Sequence, residues 1–174
     1  MLYTARPGVV KAVETRLKIR EKQEHRLLEN TNPLYHRSYF FDQGLFFECR
    51  RCGACCQGDP GIVTVFADEA RNIAHYLSME VATFAKTYLY SAKGRYSIRE
   101  YEDGRCFFYQ NGCTIYPVRP RQCRNFPFWF ENLRSFKKWR QISRQCPGIG
   151  SGELYTKAHI FEILHMTFVD HFKG

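Results

Sequence analysis

No stretch of this chain approaches the roughly 20 consecutive apolar residues needed to span a bilayer, so no membrane partner is expected. The opening residues Met1–Arg6 show no charged start followed by an apolar run, and no signal peptide is expected. That points to a reducing, cytoplasmic setting. Also missing are G-x-S-x-G, the P-loop, G-x-G-x-x-G and H-E-x-x-H. The chain therefore offers no nucleophile elbow, no glycine-rich phosphate cradle and no zinc-protease helix. No segment repeats and none is of low complexity. Spacing singles out no catalytic pair among the 17 acidic residues, so the sequence leaves open whether the chain is an enzyme.

What the chain has is thiols. Eight cysteines sit in 174 residues, four of them in Cys49-Arg-Arg-Cys52-Gly-Ala-Cys55-Cys56. In a reducing compartment such density argues for metal rather than disulfides. Apolar packing gives no reason for gaps of two, two and none. Three cysteines at successive two-residue gaps can turn their sulfurs around one soft centre, because zinc and iron–sulfur clusters prefer thiolate. Gly53 loosens the backbone within that loop. Neighbouring side chains of an extended segment diverge, so Cys55 and Cys56 are expected to serve different sites. The other four, Cys106, Cys113, Cys123 and Cys146, each fall at a turn. The simplest division groups Cys49, Cys52 and Cys55 with Cys146, and Cys56 with Cys106, Cys113 and Cys123; the alternatives exchange Cys55 and Cys56 or leave Cys56 a free, functional thiol. An all-cysteine set with a remote Cys-Pro follows ferredoxin spacing more closely than the paired knuckles of a zinc Cys₄ site. An iron–sulfur cluster is thus favoured over Zn²⁺, with both retained.

The formal charge is +9. Part of it can balance thiolates, since eight of them holding two Zn²⁺ carry a net charge of about −4. A basic surface for nucleic acid or for a protein partner is the competing use. Arg119, Arg121 and Arg124 surround Cys123; Arg119 and Arg124 are candidates to donate to cluster sulfurs. The arginines are not set out on one predicted helix face, which counts against a groove reader. His75, His159, His165 and His171 read as surface or core residues before ligands.

With 44% apolar and 16% aromatic residues the chain can build a core. Residues 8–30 read as a charged helix with a thin stripe of Val10, Val13 and Leu17, ended by Asn30-Thr-Asn-Pro33. An aromatic lead-in follows to residue 47. Ile62–Phe66 reads as a strand, Ala67–Leu77 as a helix, and Met79–Tyr90 as a helix capped by Ser78. Asp103-Gly104 signals a hairpin between Tyr96–Tyr101 and Arg105–Tyr109. Glu153–Phe172 reads as a closing helix burying Leu154, Ala158, Ile160, Phe161 and Ile163.

Taken together, Cys49-x-x-Cys52-x-x-Cys55-Cys56, then Cys106-x6-Cys113-Thr-Ile-Tyr116-x-x-Arg119-Pro120-x-x-Cys123-Arg124-x-Phe126-Pro127-Phe128, then Cys146-Pro-Gly-Ile-Gly150, resembles the YkgJ-type cysteine cluster proteins. That family is described as a zinc- or iron-chelating CxxCxxCC domain, and some members are labelled iron–sulfur oxidoreductases. The resemblance covers about residues 46–150 and implies a metal site without a reaction. Flagellin lysine methylases resemble the chain only in the cluster, and methyl transfer does not carry over. The C-x3-C-x2-C triplet of radical SAM enzymes is absent.

The expected fold is α+β and mainly helical. It is a small single domain around a cysteine-ligated metal core, with a short β-hairpin and an N-terminal helical arm. Residues 1–45 would form the arm and lead-in, and 46–174 the cysteine cluster domain. The expected function is metal chelation, as a redox or metal-handling factor. The alternative is a non-catalytic zinc-stapled adaptor for nucleic acid or a protein.

Overall fold

A computed structural model describes residues 36–57, 61–92 and 94–172. The chain divides into one unit over Met1–Asp42 and a second over Gln43–Gly174. In the first, the rings of Tyr39 and Phe40 pack on Phe41 at 4.9 and 5.1 Å. The helix expected over 8–30 lies outside the described residues.

The second unit contains β1 (Leu45–Phe47), α1 (Ala67–Tyr76), α2 (Val81–Tyr88), β2 (Leu89–Ala92), β3 (Arg95–Ile98), α3 (Arg121–Arg124), α4 (Phe130–Leu133), α5 (Phe136–Ser143), β4 (Glu153–Tyr155) and α6 (Lys157–Phe172). Short 3₁₀ turns cover Ala54–Cys56 and Tyr116–Val118. Helices predominate over two small antiparallel ladders, β1 with β4 and β2 with β3. Among the described residues no helix is long and apolar enough to cross a membrane.

Helix α1 starts as its sequence suggests, with Asp68 and Glu69 in the first turn. The Phe66 N–H donates to Glu69 Oε2 at 3.0 Å, and Ala70, Ile73 and Ala74 form the buried face. Its other end overturns an expectation. Ser78 does not cap α2; at φ 54 it closes α1 instead. Its N–H donates to the His75 carbonyl, and that of Met79 to Ala74, a paired closure that needs a left-handed residue. Helix α2 then begins at Val81 with no side-chain cap.

The hairpin also forms elsewhere than expected. Leu89–Ala92, of which Leu89 and Tyr90 are expected to end a helix, pairs with Arg95–Ile98 in register Leu89↔Ile98 and Ala92↔Arg95, with Gly94 at φ 77 in the turn. The Asp103-Gly104 turn is real, since the Tyr101 N–H donates to the Arg105 carbonyl at 2.8 Å, but it carries only the isolated bridge Glu100↔Cys106. Ile62–Phe66 is likewise reduced to one bridge, Thr64↔Ser97, with flanking bonds to β3. The closing helix starts later than expected. Glu153–Tyr155 peel off as β4, and Leu154, expected inside, is exposed opposite Phe46. Ile160 and Phe161 are buried as expected.

Two apolar groups hold this unit together. Val65, Ile73, Phe84, Leu89, Ile98, Phe108 and Ile115 form the main cluster, with Cys106 and Cys113 packed against it. The second is aromatic. Phe128 meets Phe47, Trp139 and Tyr155 at ring distances of 5.8, 5.9 and 4.5 Å. Trp139 comes from α5, which sequence reading did not identify, although Ser135 caps it by accepting from the Lys138 N–H at 3.2 Å.

Candidate metal centre

Cys49 to Cys56 leave β1 in a loop held by two left-handed residues, Arg51 at φ 54 and Gly53 at φ 75. A Cβ on Gly53 would overlap the Tyr109 ring, so only glycine lets the loop lie there. The Cys56 N–H then donates to the Gly53 carbonyl at 2.8 Å and closes the 3₁₀ turn. This turn changes the relation between the adjacent cysteines. Expected to diverge, Cys55 and Cys56 bring their sulfurs to 3.9 Å. The argument for divergence assumed an extended segment, and a 3₁₀ turn removes that alternation. About 3.8 Å is the sulfur–sulfur edge of a tetrahedron with metal–sulfur bonds near 2.3 Å.

The remaining thiols reach the loop through backbone bonds. The Cys106 N–H donates to the Cys56 carbonyl at 2.9 Å. Cys113 follows on the Asn111-Gly112 turn and bridges Tyr109. Cys123 rides on α3, which is pinned from both sides. Glu69 Oε1 accepts from the Arg121 N–H at 2.6 Å, and Gln122 exchanges bonds with Thr64 and Ile62 at 3.0 and 2.7 Å. Cys146 opens the expected tight turn, its carbonyl accepting from Ile149 at 3.2 Å. The Glu48 N–H donates to Gly148 at 3.1 Å and holds that turn beside Cys49. Gly148 has no room for a Cβ against the Glu48 carbonyl.

All eight cysteines consequently line one cavity of about 90 Å³. Cys52 and Cys55 are exposed, Cys146 is buried, and the other five are half-buried. No histidine lines the cavity among the described residues, and His75, His159 and His165 lie on the surface. Arg119 is on its wall, with Nη1 4.0 Å from Cys49 Sγ and its guanidinium 3.7 Å from the Tyr116 ring centre. Arg124 is exposed and does not line the cavity. Sequence reading missed Arg51, whose guanidinium lies 4.3 Å from the same ring. Its position between two cysteines of the cluster was the available signal.

Electrostatics divides the thiols. Cys56 keeps its proton and donates toward Cys55, which pushes the Cys55 thiol down to about 7; Arg119 adds to this and partial burial opposes it. Cys56 is correspondingly raised, by that hydrogen bond and then by burial. Burial pushes Cys106 up to about 11 and also raises Cys113, Cys123 and Cys146. Like charge adds to this across the whole group: Cys55, Cys106 and Cys113 act on Cys56 and Cys123, Cys55 also acts on Cys106 and Cys113, and Cys52 and Cys55 act on Cys146. Among the described residues no three His, Cys, Asp or Glu side chains converge closely enough to hold one ion. The donor set nevertheless suits one class of ligand, since eight sulfurs around a small apolar-walled cavity match thiophilic metals.

These features place eight cysteines from several segments on one cavity. The chain belongs to the CxxCxxCC family, described as a "putative zinc- or iron-chelating domain", whose model matches residues 48–147. It is also 31% identical over 88 residues to the uncharacterized protein MJ0661 of Methanocaldococcus jannaschii. That match covers 49% of this chain and 46% of the relative, so the chain spans about half the length of the curated protein it matches. No solved structure matches it.

Proposed function

We propose that the chain chelates metal through its eight cysteines, holding iron–sulfur clusters or zinc as a redox or metal-handling factor. The observation that carries this reading is the gathering of all eight sulfurs on one cavity from loops up to 97 residues apart, Cys49 to Cys146. Bound metal would require the thiols to turn between staggered rotamers and lose their protons. Metal would also relieve the like-charge crowding of a group of thiolates.

The division of ligands is retained on new grounds. The Glu48–Gly148 bond, which brings the Cys146 turn beside Cys49, supports grouping Cys146 with Cys49, Cys52 and Cys55, and the Cys106–Cys56 bond supports grouping Cys56 with Cys106, Cys113 and Cys123. At 3.9 Å between Cys55 and Cys56, the two centres would be immediate neighbours. Arg119 would donate to the sulfur of Cys49, and Arg124 has no part in either centre. The Cys-Pro turn beside a C-x2-C-x2-C loop supports iron–sulfur for the first centre.

Anaerobic purification followed by metal analysis and absorbance tests this. Brown protein with broad absorbance near about 400 nm and bound iron is expected for clusters. Colourless protein carrying zinc would favour the adaptor reading, and protein that binds neither would end the chelation reading.

A further inference from the structure

Arg51 adopts a left-handed backbone conformation that residues other than glycine rarely take. The result sets its guanidinium on Tyr116 at 4.3 Å, where Arg119 already lies at 3.7 Å. Arg119 is held there by its Nε bond to the Tyr116 carbonyl at 3.1 Å. Two like charges on one ring oppose each other unless something negative faces them. Arg50, next in sequence, is paired with Glu48 at 3.1 Å, and Arg121 with Asp68 at 2.6 Å. Among the described residues Arg51 and Arg119 have no carboxylate within ion-pair distance. Glu100, the one acidic residue among the described lining residues, accepts from the Gly61 N–H at 3.2 Å and forms no ion pair with either guanidinium. The exposed thiols, Cys52 and Cys55, share this cavity with both guanidiniums, while the other six are half-buried or buried. Two guanidiniums without a carboxylate partner among the described residues therefore stand on the wall of the cavity that the sulfurs line.

That charge is wrong for a bare divalent cation and right for an anion. We propose that Arg51 and Arg119, gathered on Tyr116 beside Cys49, make the cavity wall a receptor for metal delivered as an anionic small-thiolate complex. The step is ligand exchange without change of oxidation state. Each Cys52 or Cys55 thiol gives up its proton as its sulfur–metal bond forms. The carrier's sulfur–metal bond breaks, and the departing thiolate takes up that proton. The inference rests on the chelation reading above and adds the form in which metal arrives.

The test uses reduced, metal-free full-length protein and three zinc sources at equal zinc: the anionic glutathione complex, the cationic cysteamine complex, and aqueous Zn²⁺. Initial loading rate and final zinc content are read separately. At low salt the glutathione complex is expected to load about tenfold or more faster than the cysteamine complex, and the contrast should collapse in high salt. Arg51→Gln should reduce the contrast several-fold. Lys86→Gln, which removes the same charge from an exposed position on α2, should leave it intact. Equal rates from both complexes, a contrast indifferent to salt, or equal losses in the two variants would overturn the proposal. Zinc absent at the end point from every source would instead remove the chelation reading, and this inference with it.

Discussion

The loop thiols and the core thiols reach the same cavity by opposite means. Cys52 and Cys55 are exposed on a loop shaped by two left-handed residues and one 3₁₀ turn. Cys106 and Cys113 lie against a cluster in which Ile73 and Phe84 are fully buried, and Cys123 rides on a helix tied to α1. Hydrophobic folding positions the second set whether or not metal is present. The first set depends on local backbone chemistry and on whatever it binds. One half of the site is thus a preformed wall and the other a clasp.

Four experiments should break or sharpen that contrast. The largest effect is expected from Phe84→Ala, which empties the wall's support and should cost about 3–5 kcal/mol by urea unfolding of the metal-free protein. A loss below about 1 kcal/mol would mean the wall is held by something else. Gly53→Ala attacks the clasp. The left-handed conformation alone costs about 1–3 kcal/mol, and the methyl would also meet Tyr109. Metal content should fall together with stability, and an alanine variant that loads normally would deny the loop its role.

Thiol reactivity comes next. In the metal-free protein Cys55, pushed down to about 7, is largely thiolate at pH 8, whereas Cys106, pushed up to about 11, is not. Allowing for the weaker nucleophilicity of the more acidic thiol, Cys55 should alkylate about tenfold faster. The stability signs also oppose. The depressed Cys55 value gives stabilisation that is present above the ordinary thiol value of 9.0 and lost as pH falls through 7. The raised Cys106 value gives stabilisation that is present below 9.0 and lost as pH rises through 11. Mass spectrometry showing equal labelling would erase the distinction. The smallest effect is Cys52→Ser, an exposed site, which should change metal-free stability by no more than about 0.5 kcal/mol while abolishing tight metal binding. A large loss in the metal-free state would place Cys52 in the wall.

Which parts of this were legible in the sequence follows from the same contrast. The cysteine spacing, the Cys146-Pro147 turn, α1 and the mainly helical balance could all be read because each rests on residues adjacent in the chain. What could not be read rests on distant partners. Leu89 and Tyr90 continue a helical pattern, and only pairing with Arg95–Ile98 turns Leu89–Ala92 into a strand. Glu153–Tyr155 are a strand because Leu45–Phe47 lie beside them. Ser78 resembles an N-cap by type, yet the preceding helix claims it first. The convergence of Cys55 and Cys56 was misjudged because Gly53 starts a turn where an extended run was assumed. Arg124 looks equivalent to Arg119 in sequence, but the short helix α3 points it away.

Glu69 shows how far the site's dependencies extend. Its buried carboxylate accepts from the Phe66 N–H, the Arg121 N–H and the Arg121 Nε, the last two at 2.6 and 3.3 Å. It touches no thiol, yet it fixes the short helix from which Cys123 projects. In a random-mutagenesis screen for lost metal, Glu69 should therefore score like a ligand. A survey that equated every such hit with coordination would count one donor too many. The acidic hit would also suggest Glu69 as an oxygen ligand, although Glu69 does not line the cavity.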